Sequence, residues 1–144
     1  PLWPVGHPRP AVSPRCQVRA LTVPSLPAPG PRPLLLLSNA CRPGFTAMAQ
    51  MPSAELAPLG VTVNSIGPNA ILTDRTRSIA KSNAESAGIS VEEQLERNAG
   101  ALPMKRYGDA SELGDLCAYL CSSQAGYITG QTIIIDGGTS RGIF

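Results

Sequence analysis

The stretch Tyr127 to Gly138, YITGQTIIIDGG, limits the possible fold more tightly than any other part of the chain. Thr129-Gly130 reads as a turn, Thr132 to Ile135 as a short apolar strand, and Asp136-Gly137-Gly138 as a stop. Successive strand residues point to opposite faces, so a strand that is apolar on both must be covered on both. Such strands belong inside parallel sheets flanked by helices, and the expected class is α/β.

The text before this strand supplies the rest of a crossover unit. Val61 to Ile66 (VTVNSI) is β-branched and lies between Gly60 and Gly67-Pro68, which predicts a second strand. Ser90 and Glu93 have capping-box spacing at the start of SVEEQLERNAG, with Gly100 as its stop. Asp109 and Glu112 form a second box opening DASELGDLCAYLCSS, where Leu113, Leu116, Cys117, Leu120 and Cys121 make one apolar face. Strand, helices and strand in that order describe the building block of doubly wound sheets. Phe45 to Ala57 also has helical composition, stopped by Pro58 and Gly60, with Pro52 expected to kink it.

The first 33 residues are of another kind. They hold ten of the chain's 15 prolines, and no Asp or Glu precedes Glu55. With no sustained period and few large apolar residues, residues 1–33 are expected to be disordered or polyproline-like, or to be a non-native reading, leaving 34–144 as a partial domain. Scattered arginines without lysine or interleaved aromatics argue against nucleic acid. The P-x-x-P at Pro24 to Pro27 is the kind of match that any proline-dense run produces. A lone histidine, His7, and four cysteines without a C-x-x-C pair argue against a metal site, and Cys117 and Cys121 read as small buried apolar residues. Leu34 to Leu37, the longest aliphatic run, is too short for a membrane span or a signal core, so the expected location is cytosolic.

Two passages, ELAPLGVTVNSIGPNAILTDR at Glu55 to Arg75 and LPMKRYGDASELGDLCAYLCSSQAGYITGQTIIIDGG at Leu102 to Gly138, resemble the C-terminal half of the short-chain dehydrogenase/reductase family. The resemblance lies with its 3-oxoacyl-carrier-protein reductase-like branch and spans residues 38 to 140. It implies a Rossmann-like domain with Val61 to Ile66 as the penultimate strand and Thr132 to Ile135 as the last. The implied activity is hydride transfer between NAD or NADP and a small carbonyl or alcohol. The loop of Pro68, Asn69, Ile71 and Thr73 would lie against the nicotinamide, with the Ile71 backbone and the Thr73 hydroxyl as its contacts; the plainer alternative is a strand-to-helix turn with Thr73 as a helix cap. Asn69 stands where the family has Gly, and Asn tolerates left-handed backbone better than most residues. Asp74 to Gly100 corresponds to the family's variable substrate lid, and long-helix and last-strand surfaces make a homo-oligomer possible.

The family's catalytic Tyr and Lys fall on Ser38 and Arg42, in SNACR, and no Y-x-x-x-K occurs anywhere. A serine hydroxyl is a far weaker acid than a phenol, and arginine does not release a proton at ordinary pH. The glycine-rich cofactor turn and the first five strands are also absent from the text. The expectation is an oxidoreductase by descent, in a truncated and inactive copy that binds NAD(P) weakly or not at all. The alternative is a non-catalytic oligomerisation or interaction protein; a third reading has the missing half supplied by another chain. Two parallel strands would leave a bare edge where a fifth strand docks, predicting aggregation and no cooperative melt. Substrate and the choice between NAD and NADP are not encoded in this text.

Overall fold

A computed structural model describes residues 19–23, 44, 47, 48 and 50–140. Three parallel strands, β1 (Arg19–Thr22), β2 (Thr62–Pro68) and β3 (Thr132–Ile135), form one sheet in that order. Helix α1 (residues 50–56) runs through Pro52 and ends in a 3₁₀ turn, Ala57–Leu59, stopped by Gly60 at φ 74°. Between β2 and β3 lie α2 (Asp74–Ala87), α3 (Val91–Gly100) and α4 (Ala110–Cys121), followed by a 3₁₀ turn at Ser123–Ala125. Parallel neighbours cannot be joined by a hairpin, and these helices are the required crossover.

The α/β class and the neighbouring parallel strands are as the sequence predicts. The burial expected of β3 falls instead on β2. β2, with Thr62, Asn64 and Ser65, is buried on both faces, whereas the more apolar β3 is half-buried throughout because it is the outer strand of the described sheet. Burying the polar residues of β2 is tolerable because each has partners. Asn64 Nδ2 donates to the Ile128 carbonyl at 2.9 Å, and its Oδ1 accepts from Gln131 N at 3.1 Å.

Residues alternate cleanly between the two faces of the sheet. Ile66, Leu120 and Ala125 form the buried centre, with Leu21, Leu113, Leu116, Cys117, Ile128, Ile133 and Ile135 packed around it. On the opposite face Gln50 Nε2 of α1 donates to Thr132 Oγ1 at 3.0 Å. With α4 on one side and α1 on the other, the sheet is the middle of three layers, the doubly wound arrangement. Of the predicted apolar face of α4, Cys121 departs: it is exposed at the helix end, and only Cys117 of the pair is half-buried.

The stretch expected to lack structure contributes β1. Arg19–Thr22 pairs in parallel register with Thr62 to Ser65, and fills the edge of β2 that was expected to be bare. The sequence carries no sign of this, because a four-residue strand takes its stability from β2 rather than from its own pattern. Arg19 Nη1 donates to Thr62 Oγ1 at 3.2 Å, Thr22 and Ser65 share a hydroxyl bond of 2.7 Å, and Leu21 enters the core. Residues 1–18 and 24–43 lie outside the described residues, and with them the P-x-x-P match and His7.

The helix that a Thr73 cap would open is present. α2 fills half of the expected lid with a polar text whose only buried residues are Ala80 and Ala84. Thr73 caps the start, with Oγ1 accepting from Thr76 N at 3.3 Å, and Gly88 at φ 68° closes it. Both α2 and α3 pack chiefly on each other.

Candidate functional site

The carboxyl ends of β2 and β3 lie side by side, and open parallel sheets bind ligands beyond such ends. There a shallow cleft of about 110 Å³ is lined by Asn69, Ile71, Met104, Arg106, Glu112 and Asp136, among others. Whole ligand pockets run to roughly 300–1,000 Å³, so this cleft accommodates one end of a large ligand rather than all of it.

Of the predicted cofactor residues, Pro68 ends β2, Asn69 and Ile71 line the cleft, and Thr73 begins α2. The left-handed residue of this loop is not Asn69 but Ala70, at φ 54°. Asn69 serves its neighbour instead, its Oδ1 accepting from Ala70 N at 2.9 Å while its own N–H reaches the Ile135 carbonyl at 3.0 Å. An L-residue in this region costs roughly 1–2 kcal/mol, a strain the surrounding bonds must offset.

Ile71 is clamped by a short parallel bridge to Gly108. Gly108 N donates to the Ala70 carbonyl at 3.0 Å, and Leu72 N donates to the Gly108 carbonyl at 2.8 Å. In such a ladder the bridged residue's own N–H and C=O face away from the partner. The Ile71 carbonyl on that far side accepts from Thr76 Oγ1 at 2.8 Å, and Thr76 Oγ1 lies 3.1 Å from Thr73 Oγ1. The Ile71 backbone and the Thr73 hydroxyl, singled out separately in the sequence, are thus joined by Thr76, which sequence reasoning passed over. Its signal was position: it stands three residues after the cap, on the first turn of the helix.

The other wall of the cleft was read only as helix punctuation. Glu112 accepts from Arg106 Nη1 and Nη2, both at 2.7 Å, and from Asp109 N at 2.8 Å. The forked guanidinium first, and then the Asp109 N–H, pull the Glu112 carboxyl from its ordinary 4.5 down to about 2. Asp136 ends β3 by accepting from Gly138 N at 2.9 Å and Ser140 N at 2.6 Å around two left-handed glycines. Burial pushes its carboxyl up, but the bonds from Ser140, Gly138 and Thr139 outweigh burial and hold it below the ordinary range. Ser38 and Arg42, the positions matching the family's catalytic pair, lie outside the described residues. Among the described residues no group of three His, Cys, Asp or Glu could hold a metal ion, and no helix is long and apolar enough to cross a membrane.

Residues 32–140 match the family described as enoyl-(acyl carrier protein) reductase. The chain belongs to the short-chain dehydrogenase/reductase family. Within it, the NADPH-dependent reductase BacG of Bacillus subtilis is 42% identical over 91 residues, which are 63% of this chain and 35% of that protein. The 3-oxoacyl-(acyl-carrier-protein) reductase FabG of Escherichia coli is 34% identical over 99 residues, 69% of this chain and 36% of that protein. Among solved structures, an NADPH-bound short chain oxidoreductase from Pseudomonas aeruginosa PAO1, described as containing an atypical catalytic center, superimposes with a TM-score of 0.72. It is 30% identical, and the likeness covers 90% of this chain and 48% of that one. The chain therefore spans about a third of the length of the curated relatives it matches, and about half of this dehydrogenase/reductase structure.

Proposed function

We propose that this chain is the nicotinamide-side part of an NAD(P)-dependent oxidoreductase acting between the cofactor and a small carbonyl or alcohol. The observation that carries the reading is the orientation of Ile71. Gly108 takes the hydrogen bonds of its neighbours Ala70 and Leu72, so the amide edge of Ile71 faces the Thr73 side. An N–H, a carbonyl and an exposed hydroxyl on one short loop suit a carboxamide and an adjacent phosphate, and the cleft beside them suits one end of a dinucleotide. Pro68 and Asn69 set where that loop leaves the sheet.

When bound, the nicotinamide supplies or accepts the hydride. What this chain contributes is orientation, by holding the carboxamide at Ile71 and the phosphate side at Thr73. For the proton, Ser38 and Arg42 are the proposed residues, the former as a hydroxyl relay and the latter as a fixed charge. The description of the Pseudomonas relative as having an atypical catalytic center supports keeping them in that role. A cytosolic location and self-association belong to the same proposal.

Titrating the isotopically labelled full chain with NADPH tests this. The reading expects weak binding, with amide shifts concentrated at Ile71, Leu72 and Thr73, and a loss of affinity in Thr73→Ala. Absence of shifts in this loop, or shifts confined to α2 and α3 surfaces, would overturn it. NADPH oxidation with a panel of ketones, compared in Ser38→Ala, then decides whether the chain also turns over.

A further inference from the structure

One carboxylate governs the turn on which the Ile71 loop rests. Glu112 gathers the two guanidinium nitrogens of Arg106 and the N–H of Asp109, and Arg106 Nη1 also donates to the Tyr107 carbonyl at 3.0 Å. Residues 106 to 109 are thereby closed into a fixed turn, and the only residue of that turn bonded to the loop is Gly108, through Ala70 and Leu72. The contact is close as well as bonded. A β-carbon on Gly108 would stand 2.8 Å from Ile71 Cδ1 and 3.6 Å from Glu112 Oε2. The buried core, to which α4 contributes Leu113, Leu116 and Leu120, includes neither Arg106 nor Glu112.

We propose that Glu112 is a positioning residue for the loop that carries Ile71, acting through Arg106 and the Gly108 bridge. The inference rests on the proposed function only for its consequence, that fixing Ile71 preorganises the cofactor contact. A loop held in its bound conformation loses less freedom on binding, so loosening the turn weakens the ligand without removing any group that touches it.

The test compares hydrogen exchange at the Leu72 and Gly108 amides, the two bridge donors, with exchange at Ser65 in β2, in the full chain. Glu112→Gln is expected to raise exchange at both bridge amides by about three- to tenfold relative to Ser65, and to weaken NADPH by a similar factor. Arg106→Lys, which keeps the charge but loses the fork, moves both in the same direction by less. Ser90→Ala removes a cap on α3 and moves neither, which separates positioning from general loss of a helix end. If Glu112→Gln leaves Leu72 and Gly108 exchanging in proportion to Ser65, the positioning role is wrong, whatever NADPH does. If the wild-type chain binds no NADPH yet the bridge amides respond, positioning stands and the cofactor reading falls. Should Glu112→Gln not fold, Arg106→Lys carries the same comparison.

Discussion

Gly108 and Ile71 meet with no space for another atom: a β-carbon on Gly108 would approach Ile71 Cδ1 to 2.8 Å. Gly108→Ala must therefore displace the isoleucine or open the bridge. Cδ1 is the free end of a flexible side chain that can turn aside, so the expected loss is small, about 1 kcal/mol, and it should be partly restored by Ile71→Val, which removes the offending atom. Urea denaturation of the two single variants and the double variant checks the coupling. Strictly additive losses would mean that the two residues do not press on each other.

Asn64 joins β2 to the approach of β3 by serving both the Ile128 carbonyl and the Gln131 N–H from a buried position. Asn64→Ala leaves two backbone groups without their partner, and the expected destabilisation is about 2–4 kcal/mol. Asn64→Asp keeps the acceptor and loses the donor, so its amide exchange should rise around Ile128 more than around Gln131. Equal losses in that comparison would show that the two bonds are not separate.

A strand inside the proline-rich front changes the expected unfolding behaviour. The anticipated absence of a cooperative melt rested on a bare edge at β2, and Arg19–Thr22 occupies that edge. We now expect a cooperative transition that depends on β1. Leu21→Pro removes a backbone donor and the Leu21 side chain from the core together, and should broaden or abolish the transition followed by circular dichroism. A melt unchanged by Leu21→Pro would mean that β1 does not stabilise the sheet.

Much of this architecture was legible in the text, and what was not has physical causes. β2, β3, α3 and α4 are marked by β-branched runs, by cap residues and by an i, i+3, i+4 apolar face, all of which are local signals. β1 was hidden because its support is entirely non-local, from residues some forty positions away. Of α2 only the Thr73 cap was legible, because a helix that buries only Ala80 and Ala84 has almost no apolar stripe. At the site, Asn69, Ile71 and Thr73 could be named from the resemblance, but the clamp could not. Gly108 and Glu112 reach the loop through contacts that exist only once the segment before α4 lies against it, whereas Thr76 bonds the Ile71 carbonyl from five residues away.

Ala70 is the strained member of the loop. With φ at 54° its β-carbon meets the following carbonyl, a conflict glycine does not have. Ala70→Gly relieves it at the cost of a more flexible unfolded chain, and the net expected gain is up to about 1 kcal/mol. The same change loosens the loop, so a higher Tm should come with no gain, or a loss, in NADPH affinity. Lower stability in Ala70→Gly would show that the bonds from Asn69 and Gly108 already compensate the strain in full.

Acid should act on this protein through Glu112. Its carboxyl titrates near 2 in the folded chain against an ordinary 4.5, because Arg106 and the Asp109 N–H favour the charged form. A carboxyl whose folded value is depressed stabilises the fold above its unfolded value and loses that contribution as pH falls through the folded one. The contribution is therefore whole above about pH 5, and it declines steadily down to pH 2, in the same direction as that of Asp136. Arg106 and Glu112 are about half exposed, with side chains 48% and 42% accessible, so high salt should shrink this share. Measured as Tm against pH at low ionic strength, the wild type should fall more steeply below pH 5 than Glu112→Gln, and the two curves should converge near pH 2. Parallel curves over that whole range would mean that the fork between Arg106 and Glu112 contributes nothing to the fold in solution.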